Sequence, residues 1–178
     1  VFCRPDEYRR FIEAAGAEVE AVPMERFIAP FADVGLFFSL WRAFRRGDYG
    51  LVSNFSIKPN IFSSLAARLA GVRRVTGMVV GLGFVFSLEK GLAHLLLRIL
   101  VCWLYRCGFA CCSKVCFVNQ EDLARALAMR LLPESKCLLI PSGVGVNLRD
   151  YDMAAVPADR LRALREEIGG SEEVSLVM

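Results

Sequence analysis

The 178-residue sequence is poor in the residues that most often carry acid–base and metal chemistry: it has a single histidine, His94, and no two cysteines at C-x-x-C spacing. The first scarcity leaves no Ser/His/Asp or Cys/His triad to argue from. The second removes the paired knuckles of structural zinc sites. Internal repeats and low-complexity tracts are missing, and 55% hydrophobic with 23% charged residues excludes a disordered polypeptide. Acids are scarce in the middle of the chain, where Arg26 to Lys114 holds 12 Lys or Arg against 3 acids; Val115 to Met178 holds 7 against 10. The net charge of +3 therefore conceals a basic, apolar segment. Such a segment fits an anionic partner: a phosphate group, a nucleic acid or an acidic membrane surface.

What is present is a chain of mean hydropathy +0.42, long enough for one domain and the beginning of another. It starts at Val1 and closes on an apolar run, Val174 to Met178, so it reads as a fragment cut at both ends. Seven cysteines, an odd number, without a recognisable secretory leader point to a reducing cytosol. Cys107 with Cys111 and Cys112 with Cys116 share i, i+4 spacing. Lacking the zinc pattern, they read as small apolar filler and no metal is expected.

Glycine, proline and capping residues punctuate the sequence into alternating units. Helices are predicted over 5–15, from an Asp33 cap to about Arg46, over 60–70, 88–112 and 121–131; strands are predicted over 17–22, 49–55, 74–80, 114–118 and 136–140. Apolar strands alternating with helices imply parallel pairing, hence an α/β, Rossmann-like three-layer sandwich with a parallel sheet. Ligands of such sheets sit at the carboxyl ends of the strands. The linker-like stretch 152–159 sets the boundary between a domain of residues 1–151 and a second segment, 152–178.

Leu92 to Cys112 is apolar and long enough to span a bilayer. Lys90, His94, Arg98 and Tyr105, however, fall within an arc of about 80° on a helix, which predicts a helix packed on the sheet with a polar stripe in solvent; contact with a membrane surface is the second reading and a true span the third. The Phe37 to Arg46 run places Trp41 and phenylalanines beside Arg42, Arg45 and Arg46, a composition suited to a membrane interface, although a core helix with a solvated end is the plainer reading. Among the strand-end loops, Gly81-Leu82-Gly83 permits close backbone approach to a phosphate or sugar, with a tight structural turn as the equal alternative; as a dinucleotide fingerprint it fails, because Phe86 occupies the third glycine position. Lys58 stands at a helix start, against the helix dipole. An anionic ligand would account for it; a solvated lysine is the alternative. Asn119 either faces a ligand or caps the following helix.

In order and spacing, Pro23-Met24-Glu25-Arg26 with Pro30 and Asp33, Ser56-Ile57-Lys58-Pro59-Asn60-Ile61-Phe62 with Leu65 to Val72, Gly81 to Phe84, Val115 to Asn119 and Ile140 to Val144 with Asn147-Leu148 resemble the N-terminal domain of glycosyltransferase family 4. These are retaining enzymes of GT-B fold, and the likeness is greatest to the bacterial subgroup acting on lipid-linked oligosaccharides and capsular precursors. The resemblance implies an acceptor-binding domain, with a nucleotide-sugar donor held by a second domain and no metal or other cofactor. Substrate would meet Lys58, Asn60, Gly81, Gly83, Asn119, Ser142 and Gly143. Arg42, Arg45, Arg46 and Arg98 would contact the inner leaflet of the cytoplasmic membrane, where an undecaprenyl-diphosphate-linked acceptor lies, making the enzyme cytoplasmic and peripheral. Relative to the family pattern, the first strand ahead of Val1 and the second domain are missing, and Val80 stands where many relatives carry histidine. No catalytic residue is carried over, and the fragment alone is expected to be inactive. The competing reading is a non-catalytic, membrane-peripheral scaffold. Nucleic acid is not an expected partner, because the aromatics lie on apolar helices.

Overall fold

A computed structural model describes residues 1–3, 9–25, 29–83, 86, 91–141, 143, 145, 157, 159–160 and 162–163. The chain divides into two compact units, Val1–Val144 and Gly145–Met178. In the second, Asp159, Arg160, Arg162 and Ala163 are helical.

The first unit holds two parallel sheets. Strands β1 (Phe2–Cys3) and β2 (Glu20–Ala21) form a short pair around helix α1 (Arg9–Ala14). The main sheet has four strands in sequence order: β3 (Leu51–Phe55), β4 (Arg74–Val79), β5 (Lys114–Phe117) and β6 (Cys137–Leu139). Register runs Val52 beside Val75, Gly77 beside Val115 and Phe117 beside Leu139. An apolar cavity of about 590 Å³ separates the sheets, lined by Phe2 and Cys3 on one side and by Leu51 to Phe55 on the other.

Each neighbouring pair in the main sheet is linked through a helical crossover, the connection that parallel pairing requires. Between β2 and β3 runs α2 (Pro30–Arg46); a π-helical turn (Pro59–Ser63) and α3 (Ser64–Leu69) join β3 to β4; α4 (Leu92–Cys111) joins β4 to β5; and α5 (Gln120–Ala128) with a 3₁₀ turn (Glu134–Lys136) joins β5 to β6. Helix α3 packs between α2 and α4, and α5 packs on β5 and β6. Alternation of the strands sends Val75, Val79, Val115 and Phe117 into the core, where Leu36 and Leu40 of α2, Ala66 and Ala67 of α3 and Tyr105 and Phe109 of α4 join them. This is the Rossmann-like parallel α/β fold expected from the sequence.

Two expectations are corrected. Helix α2 does not start at an Asp33 cap: Pro30 occupies its first position, where a missing N–H costs nothing. Asp33 instead lies one turn in and accepts a 3.3 Å hydrogen bond from the Ala29 N–H. The polar arc of α4 reaches solvent only in part: Arg98 is exposed, while Lys90 lies outside the described residues. Tyr105 is fully buried and His94 half-buried, whereas Leu92, Leu95, Leu96, Ile99, Leu100 and Trp103 are exposed. Those six recur at helical spacing and make the outward face of α4 apolar.

Candidate functional site

Strands β3 to β6 all point the same way, so their carboxyl ends form one edge. The predicted loops follow those ends. At β3, Ser56 adopts φ 74°, a left-handed conformation for a residue with a side chain, and its N–H donates to Met78 O at 3.3 Å. The turn delivers Lys58 to the start of the next helix. There its ammonium forms an ion pair with Asp33 Oδ1, and the two side chains are only 13% and 11% exposed. Asp33 comes from the first turn of α2, so that turn too lies at the carboxyl edge. A carboxylate near a helix N-terminus is favoured by the dipole, and here it compensates the cation that the dipole of the following helix disfavours. The anion the sequence asked for at Lys58 is therefore supplied, in this structure, from within the chain.

Asn60 lies inside the fold, 1% exposed. Its Nδ2 donates to Met78 O at 2.8 Å, while Oδ1 is buried without a hydrogen-bond partner among the described residues. That oxygen lies over Gly77, where a Cβ would stand 2.5 Å away, and the Asn60 carbonyl oxygen lies 2.4 Å from where a Cβ on Gly108 would be. Two glycines, one on β4 and one on α4, thus make room for the π-helical turn. Beside it, Asn54 Nδ2 donates to Ser64 Oγ at 2.9 Å, and Ser64 Oγ lies 3.3 Å from Cys112 Sγ. Burial pushes the Cys112 thiol above its usual range, opposed by the Ser64 hydrogen bond. These side chains link the helices to the sheet directly behind Lys58.

At β4, Gly81 is half-buried, and a Cβ there would meet nothing within 4 Å among the described residues. Gly83 has φ 93°, and a Cβ there would meet Ile57 Cδ1 at 2.6 Å. The loop is held from α4 by Tyr105, whose hydroxyl donates to Leu82 O at 3.4 Å. Burial, reinforced by the Asp122 charge, pushes the Tyr105 hydroxyl far above the ordinary phenol range. At β5, Asn119 is exposed and caps α5: its Oδ1 accepts from the Asp122 N–H at 2.7 Å and its Nδ2 donates to Asp122 Oδ2 at 2.8 Å. At β6, Gly143 has φ 63° and donates to Ile140 O at 3.0 Å; Ser142 lies outside the described residues. The structure therefore brings the candidates together as two neighbouring pairs, Lys58 with Gly83 across Ile57, and Asn119 with Gly143 across the ends of β5 and β6.

The arginines expected at a membrane lie on exposed surfaces. Arg42, Arg45 and Arg46 project from the outer face of α2, Arg45 5.9 Å from the Trp41 ring centroid. The same face carries Phe31, 96% exposed, with Val34 and Phe38. One side of α2 is thus apolar over its first half and cationic over its second. Arg98 stands 6.0 Å from the centroid of the Phe86 ring, and Arg106 donates to Met129 O and Arg130 O at the end of α5. Sequence reasoning missed Asp33 as the partner of Lys58, and it missed the outward apolar stripes, whose i, i+3, i+7 spacing was visible but whose direction was not.

No family model matches the chain. It is 29% identical, over 147 residues, to the N,N'-diacetylbacillosaminyl-diphospho-undecaprenol alpha-1,3-N-acetylgalactosaminyltransferase of Campylobacter jejuni. It is 28% identical, over 152 residues, to the UDP-Gal:alpha-D-GlcNAc-diphosphoundecaprenol alpha-1,3-galactosyltransferase of Escherichia coli. The matches cover 82% and 85% of this chain but only 38% and 36% of those enzymes. Among solved structures, MurG of Acinetobacter baumannii superposes with a TM-score of 0.50 over 84% of this chain and 37% of its own, at 17% identity. The fold is thus shared with a GT-B enzyme, and the sequence is similar to glycosyltransferases that act on undecaprenyl-diphosphate-linked sugars.

Proposed function

We propose that residues 1–151 are the acceptor-facing N-terminal domain of a GT-B glycosyltransferase of family 4, and that residues 152–178 open a donor-binding domain. The enzyme moves a sugar from a nucleotide-sugar donor, with retention and without a metal or other cofactor, to a glycan carried on undecaprenyl diphosphate. It works from the cytoplasm, at the inner leaflet of the cytoplasmic membrane. Likeness across more than four-fifths of the chain to two enzymes named for such acceptors carries this reading.

The geometry supports it in two respects. Lys58, paired with Asp33, lies at the ligand-binding edge of the sheet, and the Gly81 and Gly83 loop, Asn119 and Gly143 follow the neighbouring strand ends, where this reading has them meet the acceptor's diphosphate and sugar hydroxyls; Ser142 is given the same role by the sequence resemblance alone. Asn60 contributes from behind, by seating the turn that presents Lys58. The outer faces of α2 and α4 also combine exposed aromatic and aliphatic side chains with arginines, a composition that lies flat at an anionic bilayer surface.

The test is to supply the full-length enzyme with nucleotide sugars and undecaprenyl-diphosphate-linked acceptors. Nucleoside diphosphate should be released in step with a sugar-extended lipid of unchanged anomeric configuration, and chelators should leave the rate intact. Failure to extend any such acceptor overturns the proposal.

A further inference from the structure

The two faces of the first turns of α2 have different surroundings. On one side Phe31, Val34 and Phe38 are exposed. On the other Asp33, in line with buried Leu36, Leu40 and Phe44, turns inward to the Lys58 ammonium. At about 100° per residue the centres of these sets lie about 150° apart on one helix. Pro30 at the first helical position stiffens the turn that carries both.

We propose that this turn couples membrane seating to the anion site: Asp33 is a positioning residue for Lys58, and bilayer contact through Phe31, Val34 and Phe38 fixes where Asp33 holds the ammonium. The inference rests on the function proposed above, since it takes the acceptor's diphosphate as the anion that Lys58 meets. The occupant of the apolar face is an anionic bilayer. The same helix face continues into Arg42, Arg45 and Arg46, so its charge complements acidic headgroups, and an acceptor diphosphate on a lipid anchor sits at headgroup depth. With Phe31 and Phe38 at the interface, the turn that carries Asp33, and with it Lys58, lies near the depth of the acceptor's phosphates. The Asp33 carboxylate is one of the contacts that fix the position of an ammonium so nearly buried. Acceptor affinity, more than turnover, is the quantity that Asp33 controls.

The experiment uses the full-length enzyme, a short-chain water-soluble polyprenyl-diphosphate acceptor, and vesicles of phosphatidylcholine with or without phosphatidylglycerol. For the unmodified enzyme, phosphatidylglycerol vesicles should lower the acceptor KM with little change in kcat. Asp33→Asn should float with vesicles as the unmodified enzyme does, show an acceptor KM about tenfold higher, the scale of one charge-assisted hydrogen bond lost, and no longer respond to vesicles. Asp33→Glu should recover part of the response. The double variant Phe31→Ser/Phe38→Ser, altered only at exposed positions, should lose flotation and show the vesicle-independent KM even if Asp33→Asn does not fold.

A Phe31→Ser/Phe38→Ser enzyme that still responds to vesicles overturns the coupling, as does a folded Asp33→Asn enzyme with unchanged KM and vesicle response. Sedimentation showing that the serine variant dissolves a dimer while leaving flotation intact overturns the bilayer as occupant. Absence of transfer by the unmodified enzyme sinks the function proposed above, whereas transfer with an unaltered Asp33→Asn profile sinks this inference alone.

Discussion

Gly108→Ala is the sharpest test of how α4 meets the turn behind Lys58. A methyl group at this position would lie 2.4 Å from Asn60 O, 2.9 Å from Ile61 Cα and 3.2 Å from Asn60 C. All three are backbone atoms, so no side chain can swing away. Restoring ordinary contact needs a shift of about 1 Å between α4 and the π-helical turn, and overpacking of this kind costs about 1–3 kcal/mol. Alanine's better helix propensity returns about 0.8–1.0 kcal/mol. With backbone on the opposing side the cost falls at the upper end, leaving a net loss of about 2 kcal/mol, or ~4–8 °C in Tm for a unit of this size. Gly35→Ala is the control. It is also helical, but a Cβ there meets nothing within 4 Å, so the propensity gain of up to ~1 kcal/mol should appear undiminished. Thermal and urea melts of both variants in the full-length protein measure the two effects. A Gly108→Ala protein as stable as the unmodified one, or changes of the same sign and size at both positions, would refute the close approach.

Three further outcomes follow from the same geometry. Asn119→Ala removes the side-chain cap of α5 and should cost about 1 kcal/mol in a denaturant titration, with transfer activity reporting separately whether the residue meets substrate. Tyr105, an acid whose folded pKa is raised above its ordinary 10.0, favours the neutral hydroxyl in the fold; its contribution is complete below pH 10 and is lost progressively as pH rises beyond it, so Tyr105→Phe should flatten the alkaline limb of the stability profile. Reversing Arg42, Arg45 and Arg46 to Glu should weaken binding to phosphatidylglycerol vesicles on the order of a hundredfold or more, at ~1 kcal/mol per cation lost, and leave binding to uncharged vesicles little changed.

Sequence periodicity defined the alternating elements and the parallel sheet because each strand buries alternate residues, as β4 does with Val75, Gly77 and Val79, and each crossover has its own punctuation. It was weaker at direction. Helix α4 is apolar on more than one side, so its spacing marked an arc without saying which arc faced inward; packing of Tyr105 and Phe109 against the core decided that. The Lys58 pair shows a second limit. Lysine at a helix start announced a missing anion, yet Asp33 lies 25 residues away, and only the shared sheet edge brings them together. The seat of Asn60 was not legible at all, since it depends on two glycines, Gly77 and Gly108, whose hydrogen-only side chains matter through distances that no local pattern encodes.

Helix α4 is bracketed by β4 and β5, which pair directly, Thr76 beside Lys114 and Val79 beside Phe117. Its 20 residues would extend about 30 Å, the thickness of a bilayer's hydrocarbon core. If the helix crossed the membrane, the two strands would emerge on opposite sides and could never meet. Sheet formation and translocation are therefore mutually exclusive fates for the nascent chain. Pairing of β4 with β5 thus keeps both ends of α4 on one side of any bilayer, so its apolar outward face can lie along a membrane surface but the helix cannot pass through one.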